Sequence, residues 1–317
     1  MISIQGLNYR YGDTAAPALD NISLEIPAAG TFGLLGPNGA GKSTLLSILN
    51  GLLPVPRGRI RIADMDAGSD MDSIRRISSL VPQDYAFYDA LSGRENLEFF
   101  AGIYALDEAA RRRRIDYCIE VGGLSDIIDR RAGAYSGGMK RRLNFALGLL
   151  NAPRILYLDE PTVGVDALSR QLLLDAVKQL TRDGVTVVYI SHYMEEVQAV
   201  CNEVAVINRG RVLLRDKVHR ELDAATPRRL HVWTQAPVAQ AVLDELGQLG
   251  FSSETQFEAQ PEQDNSADAA LSLDITAADL SPALAILDRH SVSVQRLSFG
   301  TSRLEEVYMN ALRDDVS

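Results

Sequence analysis

The chain has 317 residues, of which 46% are hydrophobic and 23% charged, and a formal net charge of −10. That length suggests two domains, or one large domain with an appendage, and that composition supports a packed core and excludes global disorder. The acidic excess is concentrated from Arg228 onward, where 14 Asp and Glu face six Arg and no Lys, which argues against nucleic acid as a general partner. In chain order, residues 2–8 and 22–26 read as strands, separated by the turn residues Gly12, Asp13 and Pro17. TFGLLG (31–36) is a short buried strand. KSTLLSILNGLL (42–53) has helical apolar spacing and stops at PVPRG. GRIRIADMDA is an edge strand and turn, and ISSLVPQD a strand ending at a proline. From about 92 to 150 the pattern is helical and predicts a separate lobe. The run RRRR (111–114) inside it reads as a solvated helix face, because acidic residues flank it and no aromatics interleave.

RILYLDEP is then a strand, SRQLLLDAVKQLTRDG a helix, VTVVYIS a strand, MEEVQAVCN a helix and EVAVINRGRVLLRD a hairpin. Strands alternating with helices predict an α/β domain on a largely parallel sheet. A boundary is expected near ELDAATPRRL, dividing residues 1–225 from 226–317. Beyond it the order strand, helix, strand, strand, helix, strand, helix predicts a small α+β ferredoxin-like module. The polar, acidic QPEQDNSAD inside that module reads as a mobile loop. Cys118 and Cys201 stand alone, which suggests a reducing compartment. The N-terminus lacks a leader pattern, and no window holds 18 uninterrupted apolar residues. A soluble chain without signal peptide or membrane span is expected.

Five stretches carry chemistry. Gly36 to Ser43 fits G-x4-G-K-[ST] between a strand and a helix. Glycines let successive N–H groups curl around an anion, and the helix dipole points at the same place. Lys42 can reach β- and γ-phosphates, and the Ser43 hydroxyl can ligate Mg²⁺. ILYLDEPT (155–162) delivers Asp159 and Glu160 to a strand's carboxyl end, where ligands sit in open α/β sheets. Asp159 suits Mg²⁺, and Glu160 can orient and deprotonate a water. YSGGMKRR (135–142) opens a helix with Ser136, Gly137 and Gly138. This is either a plain N-cap or a second anion nest that implies two copies facing each other. His192 in ISHYMEE ends a strand parallel to the one carrying Asp159. It is either structural or a γ-phosphate and water ligand. Gln83 in LVPQD is likewise a polar turn or a site residue. Asp166 and Tyr11 say little by themselves.

Taken in their order, these pieces resemble the nucleotide-binding domain of an ATP-binding cassette (ABC) transporter over about residues 1–220. GPNGAGKST is similar to the Walker A loop and ILYLDE to Walker B with its catalytic glutamate. YSGGM is similar to the signature, PQ to the Q-loop, VGVD to the D-loop and SH to the H-loop. The resemblance implies a P-loop NTPase core with a helical subdomain and an antiparallel β edge. It implies that Gly36, Asn38, Gly39, Ala40, Gly41, Lys42, Ser43 and Thr44 cradle ATP and Mg²⁺, with Tyr11 on the adenine. It makes Glu160 the general base, Gln83 the Mg²⁺ sensor and His192 the γ-phosphate clasp, with Asp159 on the metal. Ser136, Gly137 and Gly138 would reach the ATP of a second ATPase copy, and Asp166 would couple the two sites. The implied partners are that second copy and a separate membrane permease, on the cytoplasmic face of the inner membrane. Tyr135, Met139 and VGVD depart from the commoner Leu, Gln and SALD or SGLD. YSGGMKRRL is more similar to type-2 exporter ATPases, as is SRLEEVYMNAL (302–312), more weakly, to the end of their accessory domain. An importer ATPase with a ligand-sensing C-terminal domain, and a non-transport cassette ATPase, are the alternatives.

Overall fold

The computed structural model describes residues 1–12, 16–104, 107–218, 228–234, 238–248, 252–257, 269–276, 278–301 and 308–309. They divide into two compact units, one within Met1–His219 and one within Arg220–Asn310. The expected boundary at 225/226, the loop QPEQDNSAD and most of the C-terminal helix lie outside the described residues.

In the first unit the chain runs β1 (Ile2–Tyr9), β2 (Leu19–Ile26), β3 (Thr31–Leu35), α1 (Lys42–Leu49), β4 (Ile60–Ile62), β5 (Met65–Asp66), α2 (Met71–Ile77) and β6 (Ser78–Val81). The helical segment follows as α3 (Gly93–Ala101), α4 (Glu108–Val121) and α5 (Gly137–Gly148). After it come β7 (Ile155–Asp159), α6 (Ala167–Arg182), β8 (Thr186–Ser191), α7 (Met194–Val200), β9 (Glu203–Asn208) and β10 (Arg211–Lys217). Two sheets form, ordered β2-β1-β4-β5 and β10-β9-β3-β8-β7-β6. The first is antiparallel. The second is parallel except for β10 at its edge.

β3, β7 and β8 bury nearly every residue, so they read as continuous apolar runs, not alternating ones. β1 and β2 alternate instead, with one covered face. The two sheets share one core. Ile2, Ile4, Ile60 and Ile62 meet Phe32, Leu34, Tyr157 and Ile190, with Leu45, Leu46, Ile48 and Leu49 of α1 in the same cluster. Each of these leucines adds about 1.5–3 kcal/mol on burial. The start of α1 is therefore fixed against both sheets.

The helical segment begins with a capping box. Ser92 Oγ accepts from the Glu95 N–H at 3.1 Å, and Glu95 accepts from the Ser92 N–H at 2.7 Å. Within RRRR, Arg112 and Arg113 are exposed as expected, but Arg111 and Arg114 are half-buried. Arg114 donates to the Leu149 carbonyl and lies 4.4 Å from the Tyr117 ring centre. The helix α2 has no counterpart in the sequence reading. It has seven residues and buries only Ile74, too little for a periodic signal.

The second unit contains β11 (Arg228–Thr234), α8 (Gln240–Gln248), β12 (Ser252–Phe257), β13 (Ala269–Ile275), α9 (Leu280–Arg289) and β14 (Val294–Thr301). Its sheet is antiparallel, ordered β12-β13-β11-β14. Leu230, Val232, Leu271 and Leu273 of the sheet bury with Val242, Leu246, Ile286 and Leu287 of the two helices.

Candidate active site

The loop 36–41 leaves β3 and enters α1 at its buried end. Its glycines serve different purposes. Gly39 (φ 78°) and Gly41 (φ 104°) hold left-handed backbone that L side chains resist. Gly36 needs closeness instead. A Cβ there would fall 2.0 Å from the Ile207 carbonyl oxygen on β9. Ala40 is buried in the core. Gly41 occupies the N-cap position of α1 with no side-chain cap, which leaves the helix's first N–H groups available.

Lys42 is buried, and its Nζ donates to the Gly36 and Pro37 carbonyls at 2.7 Å each. Burial lowers its pKa, against the pull of Glu160 and Asp159. Ser43 Oγ donates to Asp159 Oδ1 at 3.4 Å. Burial raises the Asp159 carboxyl above the usual carboxylate range, and Glu160 adds to that. Thr44 Oγ1 lies 3.2 Å from the Tyr11 hydroxyl, and the exposed Tyr11 ring packs edge-on against Tyr9. A cavity of about 330 Å³ opens here, lined by Asn38, Gly39, Gly41, Lys42, Ser43, Thr44, Gln83 and Glu160.

Sheet order converges the remaining groups. β7 and β8 are parallel neighbours, so Glu160 and His192 leave adjacent carboxyl ends. The Gln83 segment follows β6, on the other side of β7. Glu160 Oε2 accepts from Gln83 Nε2 at 3.3 Å, and Oε1 lies 3.2 Å from His192 Nδ1. One buried carboxylate is thus held between the Gln83 amide and the His192 imidazole. Glu160 also has φ 48°, a strained value for a non-glycine residue, of the kind that gathers at functional sites.

Ser136, Gly137, Gly138 and Asp166 do not line this cavity. Ser136 caps α5 by accepting from the Met139 N–H at 3.3 Å, and Met139 Sδ accepts from the Ser136 N–H at 3.5 Å. Asp166 caps α6 by accepting from the Ser169 N–H at 2.8 Å, and this bond lowers its pKa. Gly138 fits against that cap, since a Cβ would lie 2.5 Å from Asp166 Oδ2 and 2.3 Å from Ser169 Oγ. The signature and the D-loop are therefore packed together, apart from their own chain's cavity.

Sequence reasoning missed Arg141. It is 5% exposed and donates to the Gln83 carbonyl and, at 3.2 Å, to the Val163 carbonyl, while lying 4.9 Å from the Tyr85 ring centre. It ties the signature helix to the segments on either side of Glu160. Its place one turn after Gly137 was the available signal.

The donor set suits a magnesium nucleotide. Gly39 lines the cavity with open space where a Cβ would stand, the buried Lys42 ammonium borders the same cavity, and Ser43 and Asp159 bring hard oxygens within 3.4 Å of each other.

Residues 19–163 match the family described as ABC transporter. The linearmycin resistance ATP-binding protein LnrL of Bacillus subtilis is 38% identical over 213 residues, covering 67% of this chain and 68% of that protein. The daunorubicin resistance ATP-binding protein DrrA3 of Streptomyces coeruleorubidus is 36% identical over 249 residues, covering 78% and 75%. Among solved structures, the dimeric post-hydrolysis state of the cassette MJ0796 bound to ADP and Pi superposes with a TM-score of 0.63. It is 26% identical, over 69% of this chain and 99% of that one. The chain belongs to the ABC transporter family of ATP-binding proteins. Within that family it is a P-loop ATPase cassette that uses ATP with Mg²⁺, and its relatives are drug-resistance ATP-binding proteins.

Proposed function

We propose that the chain hydrolyses ATP to power export through a separate membrane permease, as one of two cassettes closing over shared nucleotides. Loop 36–41 with Lys42, Ser43 and Thr44 binds the triphosphate, and Tyr11 meets the adenine. Lys42 exchanges the Gly36 and Pro37 carbonyls for phosphate oxygens. A Mg²⁺ bound with the nucleotide would be held by Ser43, Asp159 and Gln83, and would neutralise charge developing on the phosphates. Glu160 takes the proton of the attacking water, and His192 orients Glu160 and the γ-phosphate. Ser136, Gly137 and Gly138 meet the partner copy's nucleotide, and Asp166 links the two sites. Their separation from their own chain's cavity supports that role.

The resistance proteins among the relatives support export over import. Among the described residues no helix is long and apolar enough to cross a membrane; as the ATP-using partner of a permease, the chain would sit at the cytoplasmic face of the inner membrane. The second unit is a ferredoxin-like accessory domain, a reading supported by its strand order and its two helices.

The observation that carries the hydrolytic reading is the Glu160 carboxylate held by Gln83 and His192 at the cavity wall. Glu160→Gln should abolish turnover, by about 10²–10⁴-fold, while trapping an ATP-bound dimer visible by gel filtration. Parental hydrolysis by this variant overturns the assignment.

A further inference from the structure

Behind Glu160 and His192 lies a second carboxylate for which the chemistry above has no use. Glu196, on α7, is 3% exposed. One of its oxygens, Oε2, accepts three hydroxyls: Thr162 Oγ1 at 2.6 Å, Tyr189 OH at 2.9 Å and Ser191 Oγ at 3.0 Å. Arg170 Nε of α6 approaches the other oxygen at 3.5 Å. A carboxylate this deep persists only where donors replace its water. Here the donors come from different elements. Thr162 lies two residues beyond Glu160. Tyr189 and Ser191 belong to β8, whose end presents His192. Ser191 Oγ also accepts from the Tyr193 N–H at 3.0 Å, so both residues flanking His192 are tied to the same point.

The anchoring answers a need. Glu160 has φ 48°, and it precedes Pro161, whose ring pushes the residue before it towards extended backbone. Such a conformation persists only where the surroundings over-determine it. On one side the Glu160 N–H donates to the Ile190 carbonyl at 3.1 Å. On the other, Thr162 is fastened to Glu196.

We infer that Glu196 is a positioning residue, a buried strut that clamps the segment after Glu160 to the end of β8 and so sets the Glu160–His192 geometry. This rests on the catalytic reading of Glu160 and His192. The strut does not touch the nucleotide cavity, so its loss should affect turnover and not binding.

The test uses the full chain with MgATP and measures kcat, KM, nucleotide affinity and melting temperature. Glu196→Gln removes the charge and leaves the three hydroxyls a neutral, weaker acceptor. Thr162→Val and Ser191→Ala each cut one tether to a reacting segment. Tyr189→Phe removes a buried hydroxyl from the same oxygen without freeing either segment. Glu196→Gln, Thr162→Val and Ser191→Ala should lower kcat about 10- to 100-fold, the range for losing a group that orients a functional one. KM and nucleotide affinity should stay within about twofold. Tyr189→Phe should lower the melting temperature and keep kcat within about twofold of the parent. If Glu196→Gln fails to fold, the near-isosteric Thr162→Val decides. The inference is overturned if Thr162→Val keeps parental kcat, or if Tyr189→Phe loses as much turnover as Thr162→Val, because the cluster is then ordinary packing. Glu160→Gln, run alongside, separates the two readings. An inactive Glu160→Gln beside fully active Thr162→Val sinks only the strut, whereas an active Glu160→Gln sinks the catalytic assignment beneath it.

Discussion

Replacing Gly36 by alanine separates the two reasons a phosphate loop needs glycine. The methyl would sit 2.0 Å from the Ile207 carbonyl oxygen, where real Cβ atoms come no closer than 3.0 Å. The loop and β9 must therefore part by roughly 1 Å, and overpacking of this kind costs about 1–3 kcal/mol. The obstacle is backbone paired in the sheet through Leu35 and Val206, so it cannot swing away as a side chain would. For a unit of this size each kcal/mol moves the melting temperature by about 2–4 °C. Gly36→Ala should thus melt roughly 2–12 °C below the parent, with or without nucleotide. Gly39→Ala is the control. Gly39 meets nothing within 4 Å, so alanine there adds only left-handed strain of about 1–2 kcal/mol, and its methyl projects near the nucleotide cavity. Differential scanning fluorimetry with a fluorescent-nucleotide titration reads both effects. Gly36→Ala should lose more stability than Gly39→Ala, whose loss of affinity should exceed its loss of stability. Equal melting of Gly36→Ala and parent would refute the close-approach argument.

If Lys42 binds phosphate as proposed, Lys42→Ala loses charge-assisted contacts of about 1–2 kcal/mol each, and MgATP binding should weaken on the order of 100-fold by equilibrium dialysis. Asp159 has a raised folded pKa, so its charged form burdens the nucleotide-free fold at neutral pH, and the burden lifts as pH falls through that raised value. Asp159→Asn should therefore melt higher than the parent at pH 7 without nucleotide, with the advantage vanishing towards the ordinary Asp range in a pH series of melts. Arg141→Met takes its donors from the Gln83 and Val163 carbonyls at a part-buried position, and should cost about 1–3 kcal/mol in denaturant unfolding. Ser136→Ala removes the α5 cap, and should lower the melting temperature by about 2–4 °C.

The phosphate loop was legible because its chemistry is local. Eight residues, Gly36 to Ser43, carry the glycines, the lysine and the hydroxyl, and the flanking strand and helix have clear periods. Gln83, Glu160 and His192 were legible one by one only as strand ends, and it was the resemblance to the cassette family that implied they share one ATP site. Their meeting depends on β6, β7 and β8 lying side by side, which no local pattern encodes. Within MEEVQAVCN nothing marks Glu196 out, and only the fold buries it. Arg141 was hidden in a basic stretch for a similar reason, since its partners are backbone carbonyls at positions 83 and 163. At Gly36 the sequence pattern suggested backbone freedom around an anion, whereas the neighbouring strand at Ile207 is what leaves no room for a Cβ.

The placing of β8 between β3 and β7 has a metric consequence. Strands in a sheet keep a spacing of about 4.8 Å, so the ends of β3 and β7 stand roughly 10 Å apart. One fewer intervening strand would crowd the gap, and one more would leave its two walls out of reach of each other. The span across which the reaction is set up is thus a count of strands. Exchanging side chains at the loop tips tunes what lines it but cannot stretch it.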